Sequence, residues 1–383
     1  MRRFLASAAA LALALPAPQP AAAQDYACAV PAHIATEALP ERNPQLALLH
    51  EFATGAGVRV AVIDTGVAPT AELDQVFYSR DFVDIWAPAP HLDCDSHGTV
   101  VAGIIGGTSR GIAPDAEIIA IRQTSAHYRT FVGEDEVPGA GSLQTLADAI
   151  HSALDEHASV INISVVSCLA PDVAGRVDTS GIEHALARAE YEGTVVVAAA
   201  GNAGSSCHQG DTVIPAHFPT VIAVGARADA YTMAEYSIDA PGTPISAPGT
   251  VEIALASDGG GWADGTWTRE GAVSPYTGTS FATPVVSGAI ALLRERHPGL
   301  TPADIRELVA ASAEPNGGAL DPLTLLTMLP PEPVDAREPV IIEPTEHTVH
   351  YSSRRGWRML EALFIAAVAV LCRPRMRPDA QHC

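Results

Sequence analysis

The sequence predicts an α/β fold, an open and mostly parallel β-sheet with helices on both faces. Three observations carry this. Short apolar runs with almost no polar interruption recur along the chain, as expected of strands buried on both faces. Segments with apolar residues at helical spacing lie between them. The two kinds alternate, which favours parallel strands joined by helical crossovers.

In chain order, the first run is 58–63 (VRVAVI), which holds one Arg. The runs 116–121 (AEIIAI), 160–166 (VINISVV), 194–200 (TVVVAAA) and 221–224 (VIAV) follow. His97 precedes a small-residue apolar stretch, 100–105, read as the start of a helix. Segment 142–156 places Leu143, Leu146, Ala149, Ile150 and Leu154 on one helical face, and 179–192 is similar. The repeated glycines 259–261, with Trp262 and Trp267, read as a flexible loop. Ser280 opens a last helix over 281–294, and Pro284 reads as a residue near its start. There is no internal repeat.

Composition excludes several functions. The 383 residues carry 22 basic and 44 acidic side chains, a net charge of −22. Such a chain repels a phosphate backbone, so nucleic acid is not a partner. Every basic residue is Arg, which removes Schiff-base chemistry and a P-loop. The ends read differently from the body. Arg2 and Arg3, a short apolar stretch and a run of alanines before Gln24 form a signal peptide over 1–23. An N-terminal extension follows at 24–49, then a single globular domain at 50–328. A Pro-rich linker covers 329–358. The apolar stretch 359–372, flanked by arginines, reads as a membrane anchor ahead of a short tail at 373–383.

Export places the cysteines in an oxidising compartment. Cys28, Cys94, Cys168 and Cys207 lie in or just before the globular part, and four cysteines allow three pairings. No C-x-x-C or H-E-x-x-H pattern is present, and Asp93 with Asp95 lacks the glycine and distal glutamate of a calcium loop. No metal and no cofactor is expected.

In open parallel sheets the ligand crevice lies at the carboxyl ends of the strands. There the first run ends at Asp64 and another leads to Gly201-Asn202. Asp64-Thr65-Gly66, Ser96-His97-Gly98-Thr99 and Gly278-Thr279-Ser280-Phe281-Ala282-Thr283-Pro284 bring the three groups of an acyl-transfer triad. Serine is a weak nucleophile until a base takes its proton. Histidine does so near neutral pH, and a buried carboxylate holds its tautomer. The Ser280 backbone N–H at a helix start and the Asn202 amide are candidate oxyanion donors.

The order Asp, His, Ser within D-T-G, H-G-T and G-T-S-x-A-x-P resembles the subtilisin-like serine proteases. The α/β-hydrolase alternative needs G-x-S-x-G and another order. The resemblance covers about residues 50–328 and implies a subtilisin-like fold and a serine endopeptidase acting on polypeptides. It further implies Asp64, His97 and Ser280 as catalytic residues, with Asn202 and Ser280 as the oxyanion hole. Substrate would lie as a strand along Ser164, Val165 and Val166 and along Ala200 and Gly201, with Val166 standing where many members have glycine. Within the family the chain is similar to the mycosins, through 92–95 (LDCD), 121–123 (IRQ), 161–164 (INIS) and 198–202 (AAAGN). That similarity implies type VII secretion, secretion-complex proteins as partners and a cell-membrane location with the catalytic domain outside the cytoplasm. It also implies Cys28–Cys94 and Cys168–Cys207 disulfides, and an extension that stays attached. Two alternatives remain, a freely secreted degradative protease and a mainly structural scaffold of a secretion complex.

Overall fold

Along the central strand the side chains alternate between two cores. Val60 and Val62 enter one apolar cluster, while Ala61 and Ile63 enter another across the sheet. All four are buried, and the period of two explains why the run is apolar without interruption. The protein is seen in a computed structural model that describes residues 27–132, 135–242, 244–329, 358–361 and 363. The signal peptide, nearly all of the linker, most of the anchor and the tail lie outside them, as do Cys372 and Cys383.

The first unit runs to Pro331. Its chain begins β1 (Pro31–Ile34), α1 (Pro44–His50), β2 (Arg59–Asp64) and β3 (Val76–Asp81). Next come α2 (Gly98–Gly106), β4 (Glu117–Arg122), β5 (Ser125–Val132), β6 (Asp135–Ala140) and α3 (Leu143–Asp155). Then follow β7 (Val160–Ile163), β8 (Ser167–Leu169), α4 (Pro171–Ala174), α5 (Ser180–Glu192), β9 (Val195–Ala199), β10 (Thr212–Ile214) and β11 (Val221–Arg227). The last part holds β12 (Ile245–Pro248), β13 (Thr250–Val251), β14 (Ala254–Leu255), β15 (Trp262–Trp267) and β16 (Val273–Thr277). Three helices close it, α6 (Thr279–Arg296), α7 (Pro302–Ser312) and α8 (Pro322–Thr327).

A seven-stranded sheet, order β12-β11-β9-β7-β2-β4-β3, is parallel throughout. Buried residues of α3 and α5 pack in one core, and those of α2, α6, α7 and α8 in the other. This is the predicted α/β architecture. Helix α3 starts on a capping box in which Ser142 and Thr145 satisfy each other's backbone N–H groups.

Several elements differ from expectation. The run 160–166 is strand only as far as Ile163, because Ser164, Val165 and Val166 leave the sheet before β8. Trp262–Trp267 is a strand, not a loop, and joins β1, β13, β14 and β16 in a five-stranded antiparallel sheet. The extension therefore supplies an element of the fold: β1 pairs with β15, and the boundary at 49/50 falls inside α1. Pro284 sits well inside α6, six residues into the helix. In the second unit, residues 358–361 and 363 are helical. Among the described residues no helix is long and apolar enough to cross a membrane.

Candidate active site

Asp64 ends β2 between β7 and β4 and is fully buried. Its Oδ1 accepts the Thr65 backbone N–H at 2.8 Å and lies 2.6 Å from His97 Nδ1. That contact assigns the proton to Nδ1 and leaves Nε2 as the basic nitrogen. His97 caps the N-terminus of α2, and its side chain is 23% exposed. Burial opposes protonation of the ring. The charge and hydrogen bond of Asp64, with Asp93 and Asp95, outweigh it and hold His97 above its usual pKa.

Glycine is required beside this pair. A Cβ on Gly98 would lie 2.1 Å from the Gly66 carbonyl and 3.1 Å from Asp64 Oδ1. Ser96, just before the base, has φ +55, and its Oγ is 2.9 Å from the buried Tyr276 hydroxyl. The His97 ring lies 5.1 Å from that of Phe281, which brings the imidazole beside the residue after Ser280.

Ser280 stands in the first turn of α6, one residue deeper in the helix than expected. Asn202 Oδ1 accepts both the Thr279 backbone N–H at 2.9 Å and the Thr279 hydroxyl at 3.0 Å. These donations orient the amide so that Nδ2 points away from Thr279. Nδ2 lies beside Gly278, where a Cβ would come within 3.0 Å of it. An exposed amide beside Gly278 thus stands next to the first turn of the helix that carries Ser280.

The nucleophile candidate is held at both ends by one residue. Ser280 Oγ donates to the Ser164 carbonyl at 2.9 Å, and Ser164 Oγ donates to the Ser280 carbonyl at 2.8 Å. The second bond follows from Pro284. A proline has no N–H to return to the carbonyl four residues back, so the Ser280 carbonyl is free for Ser164. Asn162 Nδ2 donates to Ser164 Oγ at 3.0 Å, and Ser287 Oγ donates to Asn162 Oδ1 at 2.8 Å. Asn162, Ser164 and Ser287 are buried. Among the described residues no hydrogen bond joins His97 to Ser280, whose hydroxyl is turned to Ser164.

The remaining expected residues fall around this centre. Val165 and Val166 are half-buried against the apolar cluster on the α3 and α5 side. Ala200 and Gly201 are buried where the chain leaves β9, with Gly201 at φ +102 and its N–H given to Thr279 Oγ at 3.2 Å. Disulfides join Cys28 to Cys94 and Cys168 to Cys207. No cluster of metal-ligating side chains occurs among the described residues. Sequence reasoning missed the partners of this site, above all Asp93, Asn162 and the Ser164 side chain. A polar signal did exist for Asn162, since an asparagine inside a fully buried strand must have partners.

A parallel sheet that carries Asp, His and Ser at its carboxyl edge defines a class, the serine peptidases built on an α/β sheet. The chain belongs to the subtilase family, whose model matches residues 55–331, and it is a serine endopeptidase. Mycosin-1 of Mycobacterium tuberculosis is 38% identical over 308 residues, 72% of this chain and 67% of that protein. The solved structure of MycP1, described as a serine protease and an essential component of the type VII (ESX-1) secretion system, matches with TM-score 0.71 and 34% identity. That match covers 80% of this chain and 94% of the other. A chain of an intact ESX-5 inner membrane complex matches with TM-score 0.68 and 27% identity, over 90% of this chain and 93% of the other.

Proposed function

We propose that the chain is an exported protease of a type VII secretion system, held at the cell membrane with its catalytic domain outside the cytoplasm. The observation that carries the catalytic part is the 2.6 Å contact between buried Asp64 and His97, beside Ser280 at a helix start. Similarity to MycP1 and to a chain of the ESX-5 complex supports the place of action and secretion-complex proteins as partners. The basic, apolar leader and the arginine-flanked 359–372 segment support export and attachment.

In this reading a polypeptide lies along Ser164, Val165 and Val166 on one side and Ala200 and Gly201 on the other. A substrate N–H that takes the Ser164 carbonyl displaces the Ser280 hydroxyl from it. The freed hydroxyl turns to His97 Nε2, which removes its proton as Ser280 Oγ attacks the scissile carbonyl. Asp64 holds the imidazole and stabilises its charged form. The developing oxyanion is met by the Asn202 amide and the Ser280 N–H, at the positive end of α6. His97 then gives the proton to the leaving amine, and water repeats the sequence to release the acyl group.

The test is labelling of residues 24–352 with an active-site-directed organophosphate and hydrolysis of peptide esters. Wild type should label at Ser280 and turn over substrate, and Ser280→Ala should do neither. An unlabelled and inactive wild-type protein sinks the proposal. Complementation of a deletion strain with Ser280→Ala tests the secretion role, since full secretion would place structure before hydrolysis.

A further inference from the structure

Asp93 is 5% exposed and lies four residues before His97. Its Oδ1 accepts the His97 backbone N–H at 3.3 Å, and its Oδ2 accepts the Thr99 backbone N–H at 2.8 Å. His97 has no side-chain cap to offer α2, so Asp93 supplies the anion at that helix start. Asp93 Oδ1 also accepts the Thr65 hydroxyl at 2.8 Å. Thr65 Oγ in turn accepts the Gly98 backbone N–H at 3.0 Å.

The Thr65 hydroxyl has one proton and two carboxylates in reach. Asp93 Oδ1 is at 2.8 Å and Asp64 Oδ1 at 3.2 Å, so the nearer one takes it. Asp64 Oδ1 is then left to the Thr65 backbone N–H and His97. Asp64 Oδ2 is buried without a hydrogen-bond partner among the described residues. A charge with so few donors binds each of those it keeps more strongly.

We infer that Asp93 is a second positioning carboxylate of the site, which fixes the backbone of the base and draws the Thr65 proton away from Asp64. This rests on the proposed roles of Asp64, His97 and Ser280. The groups facing the pair are Asp64 and Asp95 toward His97, and Asp64 and Tyr276 toward Asp93. The charges of Asp258 and Asp264 also act on Tyr276.

The experiment compares kcat, KM and the pH profile of Asp93→Asn, Thr65→Val and Thr65→Ser with wild type on a peptide ester. The His97 Nδ1–H proton resonance is recorded in each. An amide at 93 turns the Thr65 hydroxyl back to Asp64 and removes a negative charge near the base. Asp93→Asn should lower kcat about 10- to 100-fold with KM within about twofold, the loss of one charge-assisted support. The acid limb of kcat/KM should move to lower pH by about half a unit or more. Its Nδ1–H resonance should shift upfield as the bond to Asp64 weakens. Thr65→Val should lower kcat about tenfold, and Thr65→Ser should restore it. An Asp93→Asn protein with wild-type kcat, acid limb and resonance, and only a lower melting temperature, makes Asp93 a helix cap and overturns the inference. If Asp93→Asn does not fold, Thr65→Val decides: an unmoved His97 Nδ1–H resonance is expected, and a downfield shift, which would show that the Thr65 hydroxyl was bonded to Asp64 and not to Asp93, overturns it alone. An inactive wild type would instead reject the triad itself, so the two failures are distinct.

Discussion

The bond from Ser164 Oγ to the Ser280 carbonyl exists because Pro284 leaves that carbonyl unclaimed, and this can be tested by a double-mutant cycle. Ser164→Ala strips a partly buried carbonyl of its donor and also removes the acceptor of Asn162 Nδ2. Each orphan costs about 1–3 kcal/mol, so the single change should destabilise by about 2–6 kcal/mol. Pro284→Ala restores an N–H that can return to residue 280 by the ordinary helical bond. In that background only the Asn162 loss remains, and Ser164→Ala should cost about 1–3 kcal/mol. The coupling between the two sites is the difference, about 1–3 kcal/mol. The small cavity left by Pro284→Ala is common to both arms and cancels. Urea unfolding by tryptophan fluorescence, with all four proteins carrying Ser280→Ala to prevent self-digestion, reads it directly. A Ser164→Ala cost equal within about 0.5 kcal/mol in the two backgrounds refutes the argument.

Three further outcomes are expected. His97 works as a base only when neutral and is held above its usual pKa, so the acid limb of kcat/KM should lie above pH 6.5. The same upward shift adds stability that is complete below the unfolded pKa and fades as pH rises through the folded one; Asp64→Asn should lower the limb and flatten that fade, and an unmoved limb would exclude Asp64 as the cause. Val166 is half-buried against the core near Ser164, and Val166→Gly should raise kcat/KM for Phe relative to Ala before the scissile bond by at least about tenfold; an unchanged ratio removes Val166 from the pocket. Replacing Cys168 and Cys207 by Ala opens a loop of sequence separation 39, worth about 4 kcal/mol of chain entropy, and an unchanged urea midpoint contradicts that cost.

How much of this was legible beforehand depends on where each signal resides. The central strands were readable because burial on both faces demands an apolar residue at every position. Edge strand β3 was not, since its side chains are half-buried or exposed along most of its length and its sequence mixes Phe, Tyr, Ser and Arg. Strand β15 was hidden by the glycines before it and by its own tryptophans, which resemble a loop until its partners β1, β14 and β16 are known. Asp64, His97, Ser280 and Asn202 could be named because each sits in a local motif at the end of a strand or the start of a helix. The work of Asp93, Ser164 and Pro284 is tertiary. Asp93 reads as an ordinary loop acid until Thr65 arrives from the end of β2, and Pro284 reads as a helix-start residue until Ser164 takes the carbonyl it releases.

The Cys28–Cys94 bond changes what a backbone cut in the extension can do. It anchors the chain three residues before His97, and β1 follows close behind on β15. Hydrolysis anywhere between Cys28 and α1 would therefore yield two polypeptides that still travel as one molecule. Such a nicked protein would run as a single band until a reductant is added, and a new N-terminus found by sequencing would mark a cleavage, not a departure.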